Sequence, residues 1–317
     1  MLRRPRVTKA RAANFRCATS HVATLIASRL LPGFAALARR AARVLDAGSA
    51  AHWLAPEIAI DIPFTPPGGI DNRLATALLR EAIGDAPVDA VVQPAAGRRK
   101  RLLLADMDST MIGQECLDEL ADFVGQKARV AAITERAMRG EIAFEPALEE
   151  RVALLAGLSA GVVDEVIAKR ITVTPGARAL VHTMRAHGAH TCLVSGGFTL
   201  FTAPIAALIG FTENRGNRLE IDGDGRFTGR VAAPILGRDA KFATLLELRE
   251  RLNLAAEETL VAGDGANDLL MISAAGLGVA YHAKPLVAAA AAARIDHCDL
   301  TALLYAQGYQ GSEIRDQ

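Results

Sequence analysis

The feature that most constrains the fold is a set of short apolar runs that recur from residue 102 onward, each ending in small or acidic residues. Helix-forming stretches separate these runs, and this alternation predicts a parallel sheet that is covered by helices on both faces. Ligands bind such sheets at the carboxyl ends of the strands. The four runs lie at residues 102–105, 191–194, 259–262 and 277–280.

The bulk composition excludes several classes of protein. A chain of 317 residues that is 51% hydrophobic is long enough for two domains with a sizeable core. A formal net charge of +1 gives no overall field that would gather nucleic acid or a membrane surface. The four cysteines form no CxxC pair, which indicates reduced thiols in a cytoplasmic protein rather than a disulfide framework or a zinc site. We also expect no membrane span, because the alanine run at 288–293 is too short.

The first third of the chain divides into three regions. Residues 1–20 are basic and predict a disordered tail, or a start codon placed too far upstream, with a transit peptide or nucleic-acid arm as the alternative. Residues 21–96 predict a small α/β domain without a catalytic cluster. Residues 97–101 predict a solvated basic linker, since no aromatic side chains interleave with the charges as in a nucleic-acid site. The α/β domain has predicted strands at 22–26, 59–62 and 88–92 and predicted helices at 32–44 and 72–83.

The remaining chain predicts one core with an insertion. About 85 residues separate the first two core strands, far more than one crossover helix needs. We interpret the helix-forming stretch at about 112–172 as a helical cap inserted over the strand ends of a core at 102–300. Residues 301–317 are predicted to form a carboxyl-terminal tail.

An acidic segment within 218–231 has two interpretations. Asp222-Gly223-Asp224-Gly225 resembles the start of an EF-hand loop, but Arg226 and Phe227 occupy its third ligand position and its glycine position. The alternating residues on both sides predict a β-hairpin instead.

The first apolar run ends in Asp106-Met107-Asp108-Ser109-Thr110. Burying a carboxylate costs several kcal/mol unless it is paired or bound to a metal, so two acids at the mouth of a buried strand indicate a cation site or catalysis. One carboxylate could attack a substrate while the second moves a proton. Taken alone, the motif has the Asx turn that caps a helix as its lesser alternative.

Three further motifs follow in order. Val194-Ser195-Gly196-Gly197 ends a strand and could present a hydroxyl and backbone N–H groups to an anion, or form a plain turn. Lys241 opens a predicted helix and, taken singly, is better interpreted as a solvated helix lysine. Gly263-Asp264-Gly265-Ala266-Asn267-Asp268 is not a dinucleotide fingerprint, because Asp268 would repel a pyrophosphate. A strand-end aspartate beside two glycines suits a hard cation such as Mg²⁺.

The ordered series DMDST, VSGG, Lys241 and GDGAND resembles the haloacid dehalogenase (HAD) superfamily of phosphatases. The wider agreement over 101–297, including Glu115, Phe144-Glu145 and Arg151-Val152, resembles its phosphoserine phosphatase family. The resemblance implies a HAD-like doubly wound parallel sheet with an inserted helical cap, preceded here by a small α/β domain that weakly resembles a regulatory extension. It implies Mg²⁺-dependent hydrolysis of O-phosphoserine through an aspartyl-phosphate, the last step of serine biosynthesis.

The resemblance also implies roles for individual residues. Asp106 would be the nucleophile and Asp108 the general acid and base, with Mg²⁺ held by Asp106, Asp264 and the backbone carbonyl of Asp108. Ser195, Gly196 and Lys241 would bind the phosphoryl group. Six residues would surround the substrate: Glu115, Arg151, Ser195, Gly196, Lys241 and Asn267.

Several alternatives stay open at this point. Glu115 and Arg151, which the resemblance assigns to the substrate ammonium and carboxylate, could be exposed charges of cap helices. The substrate could be another small phosphomonoester, or the aspartyl-phosphate could pass to an alcohol in a phosphotransferase. A catalytically silent amino-acid-binding regulator is a third alternative, against which the intact acidic residues argue. The sequence allows a homodimer without indicating one.

Overall fold

The computed structural model of this protein describes residues 19–68, 70–138 and 141–315. Over these ranges the chain forms eleven β-strands and twelve α-helices, which divide into an amino-terminal unit and a larger core unit. Most of the basic segment predicted at 1–20, and Cys17 within it, lie outside the described residues.

The amino-terminal unit is an antiparallel sheet of strand order β2-β3-β1-β4, with both of its helices packed on one face. Apolar side chains that alternate along the strands meet the apolar stripes of the helices. Strands or helices occur at all five predicted positions, while β2 was not predicted. The elements are β1 (His21–Ala27), α1 (Phe34–Val44), β2 (His52–Ala55), β3 (Ala59–Phe64), α2 (Asn72–Ile83) and β4 (Val88–Pro94).

The core unit is built on a sheet of strand order β11-β10-β9-β5-β6-β7-β8. Neighbouring strands from β11 to β7 run parallel, and β8 pairs antiparallel with β7 at the edge. All four predicted apolar runs lie in parallel strands, and the segment around Asp222 is a hairpin turn. The strands are β5 (Leu102–Ala105), β6 (His190–Phe198), β7 (Glu213–Ile221), β8 (Phe227–Ala232), β9 (Thr259–Gly263), β10 (Leu277–Tyr281) and β11 (Ala293–Ile295).

Ten of the described α-helices follow β5, and they cover both faces of the sheet and its carboxyl edge. Four lie between β5 and the helix that precedes β6, which is where the cap was predicted: α3 (Cys116–Phe123), α4 (Lys127–Met138), α5 (Phe144–Ala153) and α6 (Val162–Arg170). On one face of the sheet, α9 and α10 pack against Leu102 and Leu104. On the other, α7 and α8 pack against Leu103 and Ala105. The core helices are α7 (Ala177–Ala186), α8 (Thr199–Ile209), α9 (Arg238–Arg251), α10 (Leu269–Ala274), α11 (Pro285–Ala290) and α12 (Ala302–Ala306).

The linker at 97–101 is only partly the solvated spacer that the charge run predicted, because Arg99 and Arg101 are exposed whereas Arg98 and Lys100 are largely covered. Lys100 is 7% exposed, and its ammonium donates to the carbonyls of Gly97 and Glu257. Arg98 pairs with the buried Asp61 of β3. The prediction was wrong for Arg98 and Lys100 because these two side chains lie in the interface between the two units, where polar groups supply partners.

The segment at 301–317, predicted as a tail, packs as part of that same interface as far as the structure describes it. Leu303 and Leu304 of α12 belong to the buried cluster that also contains Ile26 and Val91 of the amino-terminal sheet. Beyond the helix, Glu313 pairs with Arg99. Helix α12 therefore covers the face of the amino-terminal sheet that its own two helices leave open.

Two further properties follow from the described residues. No described helix combines the length and the apolar content needed to cross a bilayer. Three of the four cysteines, Cys116, Cys192 and Cys298, are free and buried.

Candidate active site

The sequence motifs meet at one edge of the core sheet because their strands are neighbours. Strand β5 lies between β6 and β9, and parallel strands end at the same edge. Asp106 follows β5, Ser195 lies near the end of β6, and Asp264 follows β9. The order of strands in the sheet thus gathers residues that lie far apart in the chain.

A cluster of buried carboxylates surrounds one lysine at this edge. The ammonium of Lys241 lies 2.7 Å from Oδ1 of Asp106 and 2.8 Å from Oδ1 of Asp268. Asp106, Asp264 and Asp268 offer oxygen atoms that all lie within 4.8 Å of one another. All three carboxylates and the lysine are buried. Three buried acids therefore share one buried cation, so the fully ionised cluster carries excess negative charge.

The electrostatics of the cluster favour an additional cation. Burial, and then the charge of Asp268, raise the pKa of Asp106 well above its usual value despite Lys241. Burial and Asp268 also raise the pKa of Asp264 to about 6. Burial alone would lower the pKa of Lys241, but Asp106 and Asp268 leave it raised. All-oxygen donors in an electron-rich, buried cluster fit a hard divalent cation, which would hold these carboxylates ionised.

Asp108 has a different environment from Asp106. Its Oδ1 accepts from the backbone N–H of Cys116 at 3.0 Å, and its Oδ2 lies 3.4 Å from the hydroxyl of Ser195. Burial, followed by the charge of Glu115, raises the pKa of Asp108 to about 7. A carboxyl group with that pKa can both give and take a proton near neutral pH.

In the turn at 195–197 the backbone lies unusually close to neighbouring side chains. The hydroxyl of Ser195, which is 1% exposed, accepts from the backbone N–H of Gly197 at 2.8 Å. A β-carbon at Gly197 would lie 3.0 Å from Oδ2 of Asp108, closer than nearly all real contacts of such an atom. Glycine at this position therefore lets the turn lie directly against Asp108.

The cap lies over this turn through Phe144. A β-carbon at Gly196 would lie 3.3 Å from the Phe144 ring, and one at Gly237 would lie 3.2 Å from it. The cap also pairs by backbone hydrogen bonds with the β7–β8 hairpin, where Gly157 donates to Phe227 and Phe227 donates to Leu158. The described cap is thus closed over the strand ends.

The two charged cap residues predicted to face the substrate interact electrostatically with each other, and Glu115 also interacts with Asp108. Glu115 precedes α3, is exposed, and accepts from the hydroxyl of Ser109 at 2.7 Å. Arg151 donates to the carbonyl of Ala147, and burial lowers its pKa while the charges of Asp118 and Glu115 oppose that shift. The fold thus brings a cation and an anion of the cap into electrostatic contact near the strand ends.

Two positions in the GDGAND segment complete the site. Asn267 folds back so that its Oδ1 lies directly against Gly265, where a β-carbon would collide with it. Asp268 was not predicted as a site residue, yet it binds Lys241 and accepts from the backbone N–H of Gly265 at 3.1 Å. The sequence did indicate a role for Asp268. It is the last residue of the acidic GDGAND motif at a strand end, where a buried acid needs a cation just as Asp264 does.

The haloacid dehalogenase-like hydrolase family model matches residues 103–273, which is more than half of the chain. The chain belongs to this family. The matched region contains every predicted site residue and Asp268. The described fold, a parallel sheet with a cap inserted after its first strand, agrees with this assignment.

Individual relatives narrow the assignment. The chain is 41% identical over 283 residues to a phosphoserine phosphatase of Streptomyces coelicolor, covering 88% of this chain and 68% of the relative. It is 40% identical over 261 residues to a phosphoserine phosphatase of Mycobacterium tuberculosis, covering 82% of this chain and 63% of the relative. The chain thus spans somewhat under two thirds of the length of that second protein.

A solved structure of similar extent is a HAD-family hydrolase of Salmonella enterica serovar Typhi, with 28% identity and a TM-score of 0.81. The superposition covers 92% of this chain and 99% of the other. The similarity therefore includes the amino-terminal unit as well as the core and cap.

Proposed function

We propose that this protein hydrolyses O-phosphoserine to serine and phosphate through an aspartyl-phosphate intermediate. The observation that carries the proposal is a pair of buried strand-end carboxylates that have different partners. Asp106 lies in the acidic cluster against Lys241, whereas Asp108 lies outside it with a pKa of about 7. The relatives named phosphoserine phosphatase support the choice of substrate.

In the first half-reaction, a carboxylate oxygen of Asp106 attacks the phosphorus atom and forms a P–O bond. The bond between phosphorus and the serine oxygen breaks, and Asp108 gives its proton to that oxygen. Lys241, the hydroxyl of Ser195 and the N–H of Gly196 are the proposed donors to the phosphoryl oxygens. Mg²⁺ bound by Asp106, Asp264 and the carbonyl of Asp108 would neutralise charge between the nucleophile and the phosphoryl group.

In the second half-reaction, the ionised Asp108 takes a proton from water as the water oxygen bonds to phosphorus. The acyl-phosphate bond to Asp106 breaks, which regenerates the Asp106 carboxylate and releases phosphate. One residue with a pKa of about 7 serves both steps, because it loses its proton in the first and regains one in the second.

Recognition of the amino-acid end of the substrate is proposed for the cap. Glu115 would face the ammonium of phosphoserine, Arg151 its carboxylate, and Asn267 would contribute from the core side. The charge of Glu115 acts on both Asp108 and Arg151, and this electrostatic proximity supports the assignment of the two cap residues. The cap over 112–172, the amino-terminal unit over 21–96 and the core over 102–300 are the corresponding proposed domains.

The cellular setting is part of the same proposal. We place the enzyme in the cytoplasm, and the free buried thiols of the described chain support a reducing compartment. A homodimer is testable by light scattering of the purified protein.

The proposal is tested by phosphate release from a panel of phosphorylated amino acids and sugars, each with and without Mg²⁺. We expect Mg²⁺-dependent release that is fastest from phosphoserine. A sugar phosphate or phosphothreonine turned over faster than phosphoserine would overturn the substrate assignment. Release that is unaffected by metal removal would overturn the proposed role of Mg²⁺.

A further inference from the structure

Asn217 of β7 lies beneath the turn at 195–197, where the ladder between β6 and β7 is interrupted. Val194 pairs with Arg215, and the next pair is Phe198 with Asn217. Three residues of β6 therefore face the single residue Gly216 of β7, and the turn bulges out of the sheet. Backbone groups in a bulge lose their ladder partners, and those that are buried need others.

The Asn217 side chain supplies such a partner. It is 2% exposed, and its Nδ2 donates to the carbonyl of Gly196 at 2.8 Å and to the carbonyl of Leu236 at 3.1 Å. Its Oδ1 accepts from the backbone N–H of Leu236 at 2.6 Å. Two carbonyls and one N–H fix which end of the amide is which, and no other side chain of this size has the same set of donors and acceptor.

The second segment held by Asn217 leads directly to Lys241. Leu236 precedes Gly237, whose carbonyl accepts the N–H of Lys241 at 3.0 Å in the first turn of α9. One amide therefore joins the segment that offers the Gly196 N–H to the segment that starts the lysine helix. The neighbouring Gly216 allows this approach, since a β-carbon there would lie 3.2 Å from the carbonyl oxygen of Gly197.

We propose that Asn217 is a positioning residue that holds the Gly196 turn and the start of the Lys241 helix as one phosphate-binding unit. The inference rests on the proposed function, in which both segments donate to the phosphoryl group. Donors held in place before the ligand arrives need no reorganisation when charge develops. The side-chain hydrogen bonds of Asn217 go to Gly196 and Leu236 and not to the carboxylate cluster, so its proposed action is through the separation of these two segments.

The test measures binding of inorganic phosphate in the presence of Mg²⁺ by titration calorimetry, together with the Mg²⁺ affinity and the melting temperature. Asn217→Asp keeps the size of the side chain but replaces the amide donors with a carboxylate. Asn214→Asp is the matched control, because Asn214 lies in the same strand and accepts from Thr202 through an oxygen that aspartate retains. Asn217→Ala, which buries no charge, decides the question if the aspartate variant does not fold.

We expect Asn217→Asp to weaken phosphate binding by roughly ten- to a hundredfold, the range for lost buried hydrogen bonds, with Mg²⁺ affinity unchanged. Asn214→Asp should bind phosphate as the wild type does. Equal phosphate affinity in wild type and a folded Asn217 variant would overturn the inference. The inference would also be overturned if phosphate and Mg²⁺ binding were lost in parallel, or if neither Asn217 variant folded. Either result would mean that the amide serves general stability. Phosphate binding that responds as expected, in a protein that does not hydrolyse phosphoserine, would instead overturn the proposed function alone.

Discussion

The protein buries carboxylates in two places, which differ in the partners that each carboxylate has. In the interface between the two units, Asp89 accepts hydrogen bonds from three successive backbone N–H groups at 296–298, at 2.8 to 3.1 Å. Asp61 accepts from Thr24 and pairs with Arg98. Each interface carboxylate thus has its own set of partners. In the strand-end cluster, by contrast, three carboxylates offer oxygen atoms within 4.8 Å of one another, and the one lysine that pairs with them contacts Asp106 and Asp268.

This difference separates a structural acid from a functional one. Neighbouring donors satisfy a buried acid at an interface, so it joins the parts of the fold together. A buried acid that is short of partners has a raised pKa and remains ionised only if a cation is supplied from outside the chain. Burial alone would not have distinguished the two groups, since Asp89 and Asp106 are 4% and 5% exposed.

The largest expected effect is that of Asp106→Asn. An amide is a far poorer nucleophile and a weaker metal ligand, so we expect kcat to fall by about 10⁴-fold or more. The variant should fold, because it removes one negative charge from a crowded cluster. Its melting temperature in EDTA should be no lower than that of the wild type. Activity within tenfold of the wild type would remove Asp106 from the nucleophile role.

Asp108→Asn should be severely impaired for another reason, with kcat for phosphoserine lowered by about 10²- to 10⁴-fold. The serine oxygen would leave without its proton, and water would attack without a base. A nitrophenyl phosphate substrate, whose leaving group needs no proton, should show a burst of nitrophenolate followed by slow phosphate release. Equal slowing of both half-reactions on that substrate contradicts the proton-transfer assignment.

Arg151→Ala should lower kcat/KM for phosphoserine by roughly 30-fold to several thousandfold, since a lost contact between buried charges costs about 2–5 kcal/mol. A phosphomonoester without amino and carboxylate groups should be affected far less, and Glu115→Gln should show the same selectivity. Arg136→Ala is the matched control, because Arg136 is another cap arginine but pairs with Glu150 at the surface. A parallel fall for both substrates would assign the two cap residues to closure or stability.

In the metal-free protein, the free energy of unfolding should depend on pH, because the site carries excess negative charge. The pKa of Asp264 is raised from 3.8 to about 6 on folding. The metal-free folded protein therefore binds more protons than the unfolded chain between these values, and its stability falls as the pH rises through them. Mg²⁺ at about a hundredfold excess over its Kd adds about 2.7 kcal/mol. Urea unfolding should show a larger Mg²⁺ gain at about pH 7.5 than at about pH 5, and equal gains would contradict the site.

The smallest effect on activity is expected for Asp89→Ala. Three backbone N–H groups would lose their acceptor, so the free energy of unfolding should fall by about 1–3 kcal/mol. The kcat at saturating phosphoserine and Mg²⁺ should stay within about twofold of the wild type at 25 °C, since a satisfied interface carboxylate has no part in the chemistry. A large loss of kcat in the folded variant would show that the interface acid is coupled to the site, and would break the comparison.

Much of the core was predictable because its determinants are local. An apolar run that ends in acids defines a buried strand and its active edge within a few residues, as at 102–108 and 259–264. The helical insertion was equally readable from the distance between the first two core strands. These signals require no knowledge of which strands become neighbours.

The residues that sequence reasoning missed depend on contacts between distant segments. From the sequence, Lys100 is interpreted as a solvated charge. In the structure its ammonium donates to the carbonyl of Glu257 at 2.8 Å, and Glu257 lies more than 150 residues later in the chain. Asn217 has no local motif, because its role is set by a bulge in another strand. Helix α12 is so short that its sequence was interpreted as a tail. Its burial is explained by the face of the amino-terminal sheet that the two helices of that unit leave open.

The order of strands in the core sheet has a consequence for synthesis on the ribosome. Strand β5, which precedes the nucleophile, is the first core strand to be made, yet it pairs with β6 and β9. Its partner in β9 begins at Thr259, so at about 5–20 residues per second β5 waits roughly ten to thirty seconds for its second neighbour. The amino-terminal sheet, by contrast, is complete at Pro94. During that interval the edge of an apolar strand next to the future nucleophile is open to pairing with other chains. The cap helices are the next part of the chain to emerge, and they are the part that can shield this edge.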